Sequence, residues 1–231
     1  MKTTALIGIL LLLALPATAG TLITATSVDG VSRQIMIEGD KARINEPDSG
    51  NYGLVDLQTG MLYSVDAGRK VVMEFNPDMM GSDDSPLPAD VQLKAVGAGP
   101  EIAGYATEVY QLSAGGQLCA THYLSKDALK EKDLQRFVEA FTRFSSAGRM
   151  AAAPFMSPCA VAATHMTGDL ARYGLSLKSE TPGGGVEHLV TAIRTGATVD
   201  AQALTLPEDY QRVNLQSQMQ NALQQMMQKK R

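Results

Sequence analysis

Cysteine, histidine and tryptophan are scarce in this chain of 231 residues, which has two Cys, three His and no Trp. Two cysteines far apart in sequence cannot form a C-x-x-C redox motif or a four-cysteine zinc site. His122, His165 and His188 fall in no paired-ligand spacing, so we predict no metal site. The chain also lacks a G-x-S-x-G nucleophile turn and a phosphate-binding loop. We therefore predict a protein without catalytic residues or cofactors.

Basic residues are too few and too dispersed to form a nucleic-acid-binding face. Lys and Arg number 20 against 24 Asp and Glu, which gives a net charge of −4. Removal of an N-terminal segment containing Lys2 would leave 24 acids against 19 bases, or −5. A mildly acidic chain without a clustered basic surface is not expected to bind nucleic acid.

Long apolar runs are absent after the N-terminus. The run from Ala5 to Leu15 follows Lys2 and precedes Pro16 and an A-x-A site that ends at Ala19. This order is typical of a signal peptide, which we predict over residues 1–19 with cleavage after Ala19. The run is too short to cross about 30 Å of hydrocarbon, so we expect an exported chain without a transmembrane anchor.

Export determines how the two cysteines are interpreted. Thiols in an oxidising compartment pair by default, and an even number favours pairing. Cys119 lies in a strand-like run, whereas Cys159 follows Ser157 and Pro158, which are typical of a helix N-cap and first helical position. We predict a disulfide that ties a helix to a sheet. The alternative is a Cys159 thiolate activated by the helix N-terminus.

Alternating apolar and polar residues predict a succession of short strands separated by tight turns. Turn signals recur about every ten residues, a spacing typical of an antiparallel meander. The predicted strands cover residues 21–28, 33–39, 41–46, 51–57, 61–66, 70–75, 90–97, a hairpin at 104–124, 174–181 and 186–199.

Two helical patterns interrupt the strands. The first begins after Ser125 as N-cap, and its apolar stripe contains Phe137, Phe141 and Phe144. The second runs from Pro158 to Tyr173, ends at Gly174 and has Met166 on its apolar stripe. Core packing is the simpler interpretation of both stripes. The alternative is that Phe137, Phe141, Phe144 and Met166 line an apolar cavity between helices and sheet.

The segment from residue 76 to residue 89 shows neither pattern. Its prolines and aspartates indicate a surface loop, and a solvated connector is the simpler interpretation. The adjacent Met79 and Met80 allow a second one, in which the loop is a flap that covers an apolar opening. Methionine suits that role because its side chain adapts to irregular apolar surfaces.

The order of these elements predicts an α+β domain. A single curved sheet wrapping around the inserted helices would form an open barrel. We assign residues 20–213 to this single domain. Residues 214–231 would form a glutamine-rich tail, either amphipathic or partly disordered, with a narrow apolar stripe of Leu215, Met219, Ala222, Leu223 and Met226.

Three runs carry a resemblance to a known family: residues 52–75 (YGLVDLQTGMLYSVDAGRKVVMEF), 96–112 (VGAGPEIAGYATEVYQL) and 206–213 (LPEDYQRV). They resemble an uncharacterised exported family of Gram-negative bacteria whose fold is similar to that of the LolA/LolB lipoprotein carriers. The resemblance covers roughly residues 21–213. It implies a periplasmic location and an open antiparallel half-barrel, with the two inserted helices covering its concave face. It also implies an apolar cavity between helices and sheet, which in the carriers holds acyl chains. Neither Arg33 nor Arg43 is matched to the carriers' functional arginine, and the cysteine-bearing helical region departs from them.

Two functions of different class fit these observations. The first is a periplasmic, non-enzymatic carrier for a lipid or other apolar ligand held between the sheet and the helices. The second is an envelope interaction protein with a filled core, which would bind a partner protein through its surface and the tail at residues 214–231.

Overall fold

A computed structural model of the chain describes residues 19–79, 90–147 and 157–214. A twelve-stranded sheet forms most of it. The strands are β1 (Ala19–Ser27), β2 (Ser32–Glu38), β3 (Lys41–Asn45), β4 (Tyr52–Asp56), β5 (Leu62–Asp66), β6 (Val71–Phe75), β7 (Gln92–Ala98), β8 (Glu108–Ala114), β9 (Gln117–Ser125), β10 (Leu175–Glu180), β11 (Val186–Thr198) and β12 (Gln211–Asn214).

The sheet consists of two meanders joined at one pairing. Its strand order is β12-β6-β5-β4-β3-β2-β1-β11-β10-β9-β8-β7, so β1 and β11 connect the first six strands to the later ones. The edge strands β12 and β7 lie at opposite ends of this order, and the sheet is open. A large, mostly antiparallel open sheet with inserted helices is consistent with the predicted α+β half-barrel.

The antiparallel strands occur where the alternating patterns predict them, with boundaries that differ by one to a few residues. β12 was not predicted. It pairs with β6 in parallel, from Gln211 opposite Val71 to Asn214 opposite Glu74. A four-residue strand carries too short a pattern to be recognised, and its partner is distant in sequence.

Two α-helices lie between β9 and β10: α1 (Lys132–Ala147) and α2 (Pro158–Asp169). The predicted N-terminal cap of α2 is confirmed, because Ser157 Oγ accepts a hydrogen bond from the Ala160 amide at 3.2 Å and Pro158 opens the helix. The predicted end at Tyr173 is wrong, because α2 ends at Asp169 and the 3₁₀ turn Leu170–Arg172 follows it. The predicted start of α1 is wrong. Ser125 Oγ accepts from the Ala128 amide, but the residues that follow form a 3₁₀ turn, Ala128–Lys130, and the extended Glu131 separates this turn from α1.

Both helices pack on the same face of the sheet. Leu134 and Ala140 of α1 share a buried cluster with sheet residues that include Ile23, Ile37 and Val55. A second cluster joins α2 to β8 and β9, and its buried members are Leu112, Ala114, Ala120, Ala162 and Met166. Directly paired residues point to the same side of a sheet.

The strand register therefore places the two clusters on the same side of the sheet. One row of directly paired residues crosses the strands between them, and its members are Ser27, His188, Ser179, His122 and Tyr110. Alternate residues along β1 lead from this row to Ile23, and alternate residues along β8 lead to Leu112. We call the side that carries both clusters the helix face.

The predicted disulfide joins α2 to the sheet beside the second cluster. Cys119 of β9 and Cys159 of α2 are bonded, with Cα atoms 5.2 Å apart. Cys159 is the second residue of α2, so the bond fixes the helix near its N-terminus. Both cysteines are consumed, which removes the alternative of a free Cys159 thiolate.

The opposite side of the sheet is partly covered by the segment that leads to β12. Val199, Leu204 and Leu206 pack there against Leu54 and its apolar neighbours on β1, β2, β4 and β5. Arg43 lies 3.5 Å over the Tyr52 ring and donates to the Ala203 carbonyl at 2.8 Å. Arg43 therefore holds this segment on the side of the sheet away from the helices.

Most of the predicted signal peptide lies outside the described residues, as do Met80 and residues 215–231 of the tail. Within the described ranges, no helix combines the length and apolar character needed to cross a membrane. The division of the chain into signal peptide, domain and tail stays a prediction.

Candidate ligand-binding groove

An apolar groove of about 230 Å³ lies on the helix face, between α1, the 3₁₀ turn Leu170–Arg172 and the start of β10. Its position follows from the two inserted helices, because α2 continues into this turn and the chain then enters the sheet beside α1. The lining residues are Phe137, Val138, Phe141, Thr142, Leu170, Ala171, Gly174, Leu175 and Ser176.

Two phenylalanines of α1 form the first wall of the groove. Phe137 and Phe141 are four residues apart on one face of the helix, and their ring centroids are 6.3 Å apart with planes inclined by 23°. Phe137 is partly buried against the first core cluster. The side chain of Phe141 keeps 42% of its surface exposed. The wall thus has a ring anchored in the core and a neighbouring ring at the opening.

The opposite wall depends on a tight turn at Gly174. Its backbone adopts φ +144°, which side-chain-bearing residues rarely do, and its amide donates to the Leu170 carbonyl at 3.2 Å. A Cβ at this position would lie 2.7 Å from the backbone carbon of Ser125. Only glycine lets the chain pass this close to the end of β9 and enter β10 as the floor of the groove.

The size and polarity of the groove suit a slender apolar group. A cavity of about 150 Å³ is known to hold benzene, and sites for whole drug-sized ligands are usually about 300–1,000 Å³. The groove lies between these limits. None of its nine described lining residues has an ionisable side chain, so it offers nothing to compensate a buried charge. A single hydrocarbon chain fits this description.

The remaining predicted cavity residues lie elsewhere or outside the description. Met166 is 2% exposed in the second core cluster and is not among the residues that line the groove. Phe144 belongs to α1 and Met79 to the 3₁₀ turn Pro77–Met79, but their side chains are outside the described part, as is the whole of Met80. The flap at Met79 and Met80 stays a prediction.

Sequence reasoning found the helical wall of the groove and missed its floor. Phe137 and Phe141 stand out because they repeat at helical spacing in an amphipathic segment. Leu175 and Ser176 show only an ordinary strand pattern, and their place under α1 follows from a pairing with Ser125 and Leu124 of β9. No local pattern in the sequence identifies that contact.

His122 of β9 and His188 of β11 are both paired with Ser179 of β10, which lies between them in the sheet. Burial lowers the pKa of His188, and a hydrogen bond to the Ser176 carbonyl acts in the opposite direction. Burial also lowers the pKa of His122, whose two ring nitrogens have no hydrogen-bond partner among the described residues.

A pair of tyrosines supports the rim of the groove near Gly174. The rings of Tyr110 and Tyr173 are 5.4 Å apart, and Tyr110 donates a hydrogen bond to Glu108 Oε2 at 2.6 Å. Burial, followed by this carboxylate, raises the pKa of Tyr110 to about 12. Tyr110 is thus a neutral, anchored ring that holds Tyr173 beside the turn into β10.

Metal ligands are not assembled in the described ranges, where no three or more His, Cys, Asp and Glu side chains form a group able to hold an ion. No family model matches the chain. No curated protein matches its sequence.

Several solved structures are similar to the chain. They include an uncharacterized conserved protein from Thermus thermophilus, with TM-score 0.44 and 11% identity over 86% of this chain and 91% of that one. PNGF-II has TM-score 0.44 and 11% identity over 87% of this chain and 32% of its own.

The MucA/MucB complex of Pseudomonas aeruginosa has TM-score 0.42 and 14% identity, over 85% of this chain and 59% of that one. The chain therefore spans about a third of PNGF-II and three fifths of the matched chain of the complex. At these TM-scores the likenesses carry no functional argument, and the LolA/LolB resemblance stays a prediction.

Proposed function

We propose that this protein is an exported, non-enzymatic carrier that holds an apolar ligand in the groove between α1 and β10. The observation that carries the proposal is an open apolar groove with the exposed ring of Phe141 at its mouth. The Cys119–Cys159 disulfide and the predicted signal peptide support export, because disulfides persist in oxidising compartments.

The preferred cargo is a lipid or free acyl chain. The groove has room for one hydrocarbon segment, and its lack of ionisable lining residues leaves the polar end of the ligand at the solvent-facing mouth. A bulky polycyclic ligand would not fit a volume of about 230 Å³. The proposal thus predicts selection by shape and apolar surface, with little dependence on the chemistry of the head group.

Native mass spectrometry tests for bound cargo. The protein is purified from the periplasm without detergent, and its mass is compared with the sequence mass of the cleaved, disulfide-bonded chain. We expect an excess mass that organic extraction releases as acyl lipid. A bare mass, together with no uptake of a fluorescent fatty acid, would overturn the carrier and favour an envelope interaction protein.

A pair of matched variants locates the uptake. Phe141→Asp places a carboxylate at the groove mouth and removes an aromatic ring, whose burial by ligand contributes about 1.5–3 kcal/mol. We expect at least about tenfold weaker binding of a fluorescent fatty acid, since about 1.4 kcal/mol corresponds to a factor of ten. Val186→Asp is the control, because Val186 is similarly exposed at 39% and does not line the groove. Equal binding by both variants would place the ligand elsewhere.

A further inference from the structure

The groove between α1 and β10 has an open end and a closed end. Exposure increases along α1 from Leu134, which is fully buried, through the partly buried Phe137 to the exposed ring of Phe141. Phe137 and Leu175 both pack against the first core cluster. Leu175 is also paired with Ser125, which is fully buried. Packed core therefore closes the inner end of the groove at Phe137 and Leu175, and Phe141 marks the mouth.

The volume of the groove limits how much of a hydrocarbon chain it can hold. A cavity of about 150 Å³ binds benzene, which has about one carbon atom for every 25 Å³ of that space. At a similar volume per carbon atom, the groove of about 230 Å³ holds about nine carbons of a single chain. Further carbons have to lie outside the mouth, where the protein offers them little apolar surface besides the ring of Phe141.

The chemistry of the lining determines which end of the ligand enters first. None of the nine described lining residues is ionisable, and the inner end is formed by the apolar side chains of Phe137 and Leu175. Burial of a carboxylate without a partner costs far more free energy than the burial of hydrocarbon contributes. The methyl end of an acyl chain therefore enters the groove, and the head group stays at the mouth.

We propose that Phe137 and Leu175 form a stop for the terminal methyl group of an acyl chain, so that the groove recognises only the last carbons of the chain, about nine in number. This inference rests on the proposed carrier function and specifies its cargo. Acyl chains shorter than this leave part of the groove empty and bind weakly. Longer chains fill it and bind with nearly equal affinity, because their additional carbons remain outside.

A series of saturated fatty acids tests the stop in the full chain. Competition against a fluorescent fatty acid gives the Kd of each member from six to fourteen carbons, below its micelle-forming concentration. Each methylene group that moves from water into an apolar site tightens binding about fourfold. We expect the Kd to fall by this factor per carbon up to about nine carbons and to change less than about twofold in total beyond about ten.

A variant that deepens the groove should move the chain length at which the Kd levels off. Leu175→Ala removes an isopropyl group from the inner end, and we expect the levelling to move from about nine to about twelve carbons. Leu189→Ala is the matched control, because Leu189 is also partly buried against the first core cluster but does not line the groove. It should leave the levelling in place. Equal shifts in the two variants would overturn the stop.

A second variant changes the groove in the opposite direction and keeps the test decisive if the space left by Leu175→Ala collapses. Ala171→Leu adds an isopropyl group to the wall of the groove, and we expect the levelling to move to about six carbons. The control is Ala201→Leu in the 3₁₀ turn Ala201–Leu204, which does not line the groove. A levelling that neither Leu175→Ala nor Ala171→Leu moves would overturn the stop.

The direction of entry is tested with two ligands of equal length. Nonanedioate carries a carboxylate at both ends and has to bury one of them to fill the groove, whereas nonanoate does not. We expect nonanedioate to bind at least about a hundredfold more weakly than nonanoate. Similar Kd values would overturn entry by the methyl end.

The stop and the carrier function fail in different ways. If neither the fluorescent fatty acid nor any member of the series binds, the carrier function fails and the stop fails with it. If the affinity rises steadily up to fourteen carbons, or does not depend on chain length, the carrier function stands and the stop is overturned.

Discussion

Gly174 shows how one residue controls both fold and groove. It lines the groove, turns the chain from α2 into β10 and passes so close to Ser125 that a methyl group has no room. Its φ of +144° adds a backbone restriction that is independent of the contact. The shape of the groove at this end is therefore fixed by the absence of a side chain.

Gly174→Ala should destabilise the protein by about 1–3 kcal/mol or more, because strained backbone and an overpacked contact add at this position. The measurement is the free energy of unfolding in urea. Gly183→Ala is the matched control, since Gly183 has no atom within 4 Å of its Cβ position and has no positive φ. Equal stability of the two variants would show that the backbone near Ser125 moves aside at little cost.

At the scale of elements, the helices are attached to the sheet in different ways. α1 packs through its own apolar stripe, and Asp133 near its start accepts hydrogen bonds from Thr21 at 2.8 Å and Arg136 at 3.1 Å. α2 is shorter and is held on β8 and β9 by a small cluster and the disulfide. The disulfide thus contributes most to the element with the smaller packed surface.

Removal of the disulfide should loosen α2 and lower the stability of the whole protein. The bond joins positions that are 40 residues apart in sequence, and closing a loop of this size stabilises the folded protein by about 3–4 kcal/mol in the chain-entropy account. We expect the double variant Cys119→Ala/Cys159→Ala to unfold at a lower urea concentration than the oxidised protein. Its urea midpoint should be the same with and without reductant, whereas the midpoint of the unmodified protein should fall when the protein is reduced. Identical urea midpoints for the oxidised protein and the variant would contradict this.

Elements whose determinants are local could be predicted from the sequence. The cap of α2 at Ser157 and Pro158 and the alternating strands depend on neighbouring residues. The pairing of Cys119 with Cys159 followed from compartment and even number. Phe137 and Phe141 could also be recognised from a local pattern, because both lie on the apolar stripe of one amphipathic helix.

Features that depend on distant packing could not be predicted. β12 needs a parallel partner that lies far back in the chain, and the floor of the groove at Leu175 needs the pairing of β10 with β9. Met166 lies on the apolar stripe of α2 as Phe137 and Phe141 lie on that of α1, yet its side chain packs in the second core cluster and not in the groove. Helical spacing selects the inward side of a helix but does not decide whether a core or a groove lies beneath it.

At the scale of the whole molecule, the two sides of the sheet are covered by different parts of the chain. The helix face carries both core clusters and the groove, whereas the other side is partly covered by the segment from Val199 to Leu206. That segment leads into β12, which pairs with β6 at the edge of the sheet. The segment after β11 thus covers the side of the sheet opposite the groove before it joins the sheet edge.

The buried histidines should make the stability of the whole protein depend on pH. Burial lowers the pKa of His122 and of His188 in the folded state, whereas an unfolded histidine titrates near its ordinary value of about 6.5. The unfolded chain therefore binds more protons as the pH falls below that value. Folding stability is complete above this range and is lost as the pH falls through it, toward the lowered pKa values of the folded protein.

Urea unfolding at pH 7.5, 6.5 and 5.5 measures this loss, which reaches at most about 1.4 kcal/mol per pH unit for each histidine. The acids with lowered pKa values, Asp29, Glu108 and Glu180, lose their contribution only at lower pH, so they do not account for a change in this window. His122→Phe should reduce the slope, because the ring nitrogens of His122 lack a described hydrogen-bond partner. A slope that is unchanged in this variant would assign the proton uptake to His188, whose charged form is supported by the Ser176 carbonyl at the floor of the groove.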